Sequence, residues 1–101
     1  MTFSEDEIEA VWAKGTVAPN NDPNVFRKDA CGAWIRRASH GDHDADLGFG
    51  WDIDHIVPES EGGTDGLSNL RPLQWKNNAA RGADELECMV TSAGTENVFV
   101  E

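Results

Sequence analysis

The 101-residue chain has two cysteines, three histidines, three lysines and no tyrosine. No run approaches the roughly 20 apolar residues of a membrane-spanning helix, so no membrane partner is expected. The N-terminus, MTFSEDEIEA, has neither the basic start nor the apolar stretch of a secretory signal. The expected setting is therefore cytoplasmic. Two cysteines are too few for a disulfide framework, and in a reducing compartment Cys31 and Cys88 are expected as free thiols.

Positive charge is also scarce. Nineteen acidic residues against eight basic ones give a formal charge of −11, which opposes nonspecific attraction to a phosphate backbone. Seven of the eight cations lie between Arg27 and Arg81, whereas Glu5, Asp6, Glu7 and Glu9 crowd the start, so the count still permits a locally basic face on an acidic body. An acidic, lysine-poor surface is also one way to stay soluble in high salt. At this length, with no break in composition, one domain over residues 1–101 is expected, its core supplied largely by four tryptophans and four phenylalanines.

Ser4, followed by Glu5, Asp6 and Glu7, has capping-box spacing, and Ile8, Val11 and Trp12 share one helical face before Gly15, so a helix is predicted at about 4–14. Residues 15–24 read as an irregular connection. Residues 25–36 fit either a strand or a helical turn, and 39–50 are a polar, glycine-punctuated loop. Trp51, Ile53 and Ile56 interleave with Asp52 and Asp54, the alternation of a half-buried strand that Pro58 ends. After a turn-rich stretch at 59–68, residues 69–73 can return as its partner. A short helix from Trp75 to about Ala83, capped by Gly82, and a terminal hairpin from runs at 88–91 and 97–100 complete the pattern.

The stretch WDIDHIVPESEGGTDGLSNLRPLQWKNNAARG, residues 51–82, carries the chemistry. Its ordered features are Asp54 and His55 before Ile56, Val57 and Pro58; the Gly62–Gly63 pair; Asn69 with Leu70; and Asn78 followed by Arg81 and Gly82. This set resembles the HNH family of nucleases. The resemblance implies an α+β fold, a small ββα-metal domain, here with an N-terminal helix and a C-terminal β-hairpin. It implies a metal-dependent endonuclease that hydrolyses DNA phosphodiester bonds, leaving a 5′-phosphate and a 3′-hydroxyl. His55 would be the general base, Asn69 would bond across the loop to orient it, and Asp54 and Asn78 would share one divalent ion. Carboxylate and amide oxygens are hard donors that suit magnesium or manganese. Arg71, Lys76 and Arg81 are the implied contacts to DNA phosphates, with RNA left open as a substrate.

Many HNH proteins also carry two C-x-x-C pairs that bind a structural zinc. The corresponding positions here hold Lys28, Cys31, Gln74 and Asn77, and one thiolate cannot close a tetrahedral site. No structural zinc is expected, and Trp34, Trp75 and their neighbours are expected to pack in its place. Asp42, Asp44 and Asp46 imitate the start of a calcium loop, but Leu47 stands where the sixth-position glycine belongs, and that reading is rejected. His40 and His43 read as loop residues. Asp52 should share a strand face with Asp54. The rival to an active nuclease is a noncatalytic module that binds nucleic acid or protein on the same fold; retention of Asp54, His55 and Asn78 together argues for the nuclease.

Overall fold

Ser4 opens the first helix, α1 (Glu5–Trp12), with both bonds of the capping box: its hydroxyl accepts from Glu7 N at 3.1 Å, and the Glu7 carboxylate accepts from Ser4 N at 2.9 Å. Such a cap contributes about 1 kcal/mol. In this computed structural model, which describes residues 2–81 and 85–101, α1 buries Ile8, Val11 and Trp12. These three join Ile35, Trp51 and Leu70 in the core, with Phe3 and Ile53 packed at its edge. The Trp12 and Trp51 rings meet at 5.4 Å.

The 25–36 segment, open between strand and helix in sequence, forms a hairpin of β1 (Phe26–Lys28) and β2 (Trp34–Arg36). Gly32, at φ +80°, closes the turn between them, and its N–H bonds to Asp29 O at 3.0 Å. The central pair, β3 (Trp51–His55) and β4 (Leu70–Gln74), is antiparallel with Asp54 opposite Arg71 and His55 opposite Leu70. Helix α2 (Trp75–Arg81) follows directly and packs on both strands. Ile56 lies beyond β3, and the Gly82 cap with the helical extension to Ala83 lies outside the described residues. The C-terminal hairpin is β5 (Val90–Ala93) and β6 (Glu96–Phe99); Ser92 and Ala93, expected as the break, belong to the strand, and the turn falls at Gly94 and Thr95. Two helices and three antiparallel strand pairs thus make up an α+β fold among the described residues.

The two cysteines are a correction. Cys31 and Cys88 form a disulfide, with Cα atoms 5.6 Å apart and a sequence separation of 57. The C-terminal hairpin brings Cys88 back to the β1–β2 turn, a proximity that no local pattern announces.

The region that a zinc would staple is packed only in part by the expected tryptophans: Trp34 lies under Lys28, and polar side chains, among them Gln74 beside Trp75, fill the rest. Asp29, Gln74 and Asn77, all buried, form a hydrogen-bonded knot there. Asp29 Oδ1 accepts from Cys31 N and Ala33 N, both at 2.9 Å, and Oδ2 accepts from Gln74 N at 2.8 Å and Asn77 Nδ2 at 3.0 Å. Asn77 Oδ1 accepts from Met89 N and Val90 N, each at 2.8 Å, tying α2 to the C-terminal hairpin. Gln74 Nε2 donates to the carbonyls of Asp46 and Gly48. Burial pushes the Asp29 carboxyl above its ordinary range, and the four donors offset part of that rise. Trp34 also meets Phe26 edge-on, while Trp75 donates to Ala45 O and stacks on His43.

Candidate active site

The loop between β3 and β4 is shaped by backbone before any side chain acts. Gly62 adopts φ +89°, and a Cβ on Gly63 would stand 1.7 Å from Val57 O, so the chain folds back on itself only with glycine at that position. Asn69 then clamps the two sides. Its Oδ1 accepts from Val57 N at 2.8 Å, and its Nδ2 donates to Val57 O at 3.0 Å and Thr64 O at 2.8 Å. Asn69 therefore bonds across the loop, as the family resemblance implied, and its side-chain bonds go to Val57 and Thr64 rather than to the His55 ring.

His55, the last residue of β3, is mostly covered, with 18% of its side chain exposed. Its Nε2 lies 2.7 Å from Asp65 Oδ1 and 3.2 Å from Glu59 Oε1. The ligating atoms of His55, Glu59 and Asp65 all lie within 4.8 Å of one another, close enough for a cation to bridge them. Neither acid stood out in the sequence, because Glu59 and Asp65 sit in a turn-rich stretch where an acid reads as a turn former or a solvated charge.

Asp54 is buried, and both of its oxygens are engaged. Arg71 Nε donates to Oδ2 at 2.8 Å, and Arg81 Nη1 donates to Oδ1 at 3.2 Å. Arg81 also donates from Nη2 to Ile56 O at 2.6 Å, and its Nε is buried without a partner among the described residues. The cross-strand register places Arg71 there, and the last turn of α2 supplies Arg81.

Asp54 and His55 from β3, Asn78 and Arg81 from α2, and Ile53, Pro58 and Glu59 line one cavity of about 280 Å³. A wider open groove of about 650 Å³ shares Pro58 and Arg81 with it and adds Ile56, Val57, Glu61, Arg71, Glu85 and Leu86. Asp54, His55, Asn78 and Arg81 thus come together, with Arg71 reaching the same carboxylate. Lys76 does not join them; its Nζ lies 3.6 Å from Asp46 and over the Trp75 ring.

The other cations are also largely occupied. Arg37 pairs with Glu5 and Glu9, Arg27 donates to the carbonyls of Ala13, Gly15 and Pro23, and Lys14 donates to those of Leu67 and Leu70. His43 Nε2 contacts both oxygens of Asp52, at 2.9 and 2.8 Å, so Asp52 faces the 39–50 loop. His40 lies against Trp51 at 4.7 Å; desolvation there holds its imidazole below the ordinary histidine range.

Comparison with known families gives a match to the HNH endonuclease model over residues 31–83, just over half of the chain. The chain belongs to the HNH endonuclease family. No curated protein and no solved structure matches it. The match begins at Cys31 and ends beyond α2, so it takes in β2, the β3–β4 hairpin and the helix packed on it. HNH proteins act on nucleic acids as nucleases and usually use a divalent metal.

The donor set of this HNH site can accept such an ion. A carboxylate has about four lone-pair directions, so Asp54 can keep two guanidinium bonds and still offer an oxygen. The Asn78 amide adds a neutral hard donor in the same cavity. Two guanidiniums already face Asp54, so they compete with a cation for its oxygens, and an entering phosphate that draws them off would favour the ion.

Proposed function

We propose that this protein is an endonuclease that hydrolyses phosphodiester bonds in DNA, with His55 as general base and Asp54 and Asn78 as the protein ligands of one divalent ion, magnesium or manganese. The observation that carries this reading is the shared cavity: Asp54, His55 and Asn78, separated by 24 residues of chain at the extremes, line one small polar space.

His55 accepts a proton from the attacking water, and Asn69 keeps the loop that surrounds it in one shape. Arg71 and Arg81 offer guanidinium donors beside the ligand carboxylate, where a scissile phosphate would bring negative charge. When bound, the ion supplies charge neutralisation on the phosphate and on the departing oxygen. Lys76, away from the cavity, can contact only a flanking phosphate.

One observation favours a second reading. The double engagement of Asp54 by arginines is also what a noncatalytic binding module would show, its former metal ligand converted into a structural ion pair.

Supercoiled plasmid incubated with the protein and with magnesium, manganese or calcium separately decides between them. The nuclease reading expects nicked or linear DNA with at least one ion and none with chelator, and loss of cutting in His55→Ala while the fold is kept. DNA retention without cutting under every ion selects the binding module.

A further inference from the structure

The contact between His55 and Asp65 goes beyond the roles assigned above, although its catalytic meaning rests on the nuclease reading. An ionised carboxylate can only accept hydrogen bonds. At 2.7 Å from Asp65 Oδ1, His55 Nε2 must therefore carry the hydrogen, and in the neutral ring the lone pair falls on Nδ1. We propose that Asp65 is a positioning residue for His55: it holds the Nε2–H tautomer and so makes Nδ1 the atom that takes the proton from water.

Two features single out Asp65 from its neighbour Glu59. Asp65 makes the shorter contact, 2.7 against 3.2 Å, and its side chain is the less exposed, 34% against 60%. It is also held by the backbone on each side. Asn69 Nδ2 bonds to the carbonyl of Thr64, and Asn69 N bonds to the carbonyl of Gly66 at 2.8 Å, so the residues flanking Asp65 are both fastened to Asn69. A short side chain on a fixed loop loses less freedom in gripping the imidazole than a long exposed glutamate does. This also gives Asn69 its route to the base: Asn69 fixes the loop, the loop fixes Asp65, and Asp65 fixes the ring.

The same three side chains could instead bind a cation through His55 Nε2, and that alternative predicts different results. The experiment compares wild type with Asp65→Asn and Asp65→Glu. Nitrogen-15 spectra near pH 9, where a free imidazole is neutral, report the His55 tautomer; a His55→Gln sample assigns its signals. Cleavage of plasmid gives kcat and KM, and calorimetry with manganese gives metal affinity.

We expect wild type to hold the Nε2–H form. Asp65→Asn, whose amide can donate to Nε2, should lose that preference, and kcat should fall by up to about the 100- to 10,000-fold that a positioned general base contributes, with KM within about 2-fold. Manganese affinity should be unchanged, and Asp65→Glu should restore part of both tautomer and rate. A wild-type ring in the Nδ1–H form, or an Asp65→Asn protein with tautomer and kcat unaltered, would overturn the proposal. So would a large loss of manganese affinity in Asp65→Asn, which would make the cluster a cation site. If no sample cuts DNA, the nuclease reading fails, and the tautomer comparison still decides whether Asp65 sets the ring.

Discussion

Asn77 Nδ2 donates to Asp29 Oδ2 at 3.0 Å across 48 residues of chain, and both side chains are buried. Asp29→Ala would leave four donors, Cys31 N, Ala33 N, Gln74 N and Asn77 Nδ2, without their acceptor. Each buried donor left unpaired costs about 1–3 kcal/mol, so urea unfolding should reveal a loss of at least about 3 kcal/mol. A loss below about 1 kcal/mol would mean that the knot is not a structural staple.

The pH dependence of the same carboxyl has a definite sign. Burial raises its folded-state pKa above the ordinary 3.8, the four donors notwithstanding. Between 3.8 and that folded value the native state binds the proton that the unfolded state releases, so the contribution of Asp29 to stability declines as pH rises through the window and is most favourable below it. Carbon-13 titration of the Asp29 carboxyl should give a midpoint above the ordinary value. A midpoint at or below 3.8 would show that the donors outweigh burial.

The proposed ion site predicts weak binding by the free protein and tighter binding with DNA, because two guanidiniums already face Asp54. Asn78→Asp adds a charged oxygen and should raise manganese affinity in calorimetric titration even where cleavage slows. Asn78→Ala should weaken it. Asp54→Ala should nearly eliminate binding, and it should also cost about 3–5 kcal/mol of stability, because Arg81 is left as a buried, unpaired charge. Three variants that bind manganese as wild type does would place the ion elsewhere.

Opening the Cys31–Cys88 bond releases a loop of 57 residues from constraint in the unfolded chain. Loop entropy puts the loss at about 4 kcal/mol, a large share of the roughly 5–15 kcal/mol that holds a domain together. Thermal unfolding of Cys31→Ser with Cys88→Ser should show a markedly lower midpoint than the oxidised parent. Equal midpoints would mean that the bridge adds nothing to stability.

Much of the hairpin-and-helix unit is legible in the sequence because its signals are local. Ser4 and Glu7 announce a cap, Trp51 to Asp54 alternate, and Asp54, His55, Asn69 and Asn78 keep the order that the HNH resemblance requires. What the sequence hides depends on distant contacts. Asp29 looks like any turn residue until β4 and α2 deliver Gln74 and Asn77 to it. Asp65 is indistinguishable from a solvated loop acid until the Asn69 clamp folds it over His55. That Arg71 and Arg81 also grip Asp54 is hidden too, because no periodicity reveals that Asp54 will be buried between them. Cys88 meets Cys31 only after the C-terminal hairpin has docked.

The bridge from Cys31 to Cys88 encloses β2, the β3–β4 hairpin and α2 within one covalent ring. A protease that nicks the exposed 59–62 stretch would therefore open the ring without releasing a fragment. The nicked chain would run as a single species on a gel without reductant and as two with it. Its halves would stay tethered beside each other, able to keep Asp54 and His55 in register with Asn78 after the backbone between them is broken.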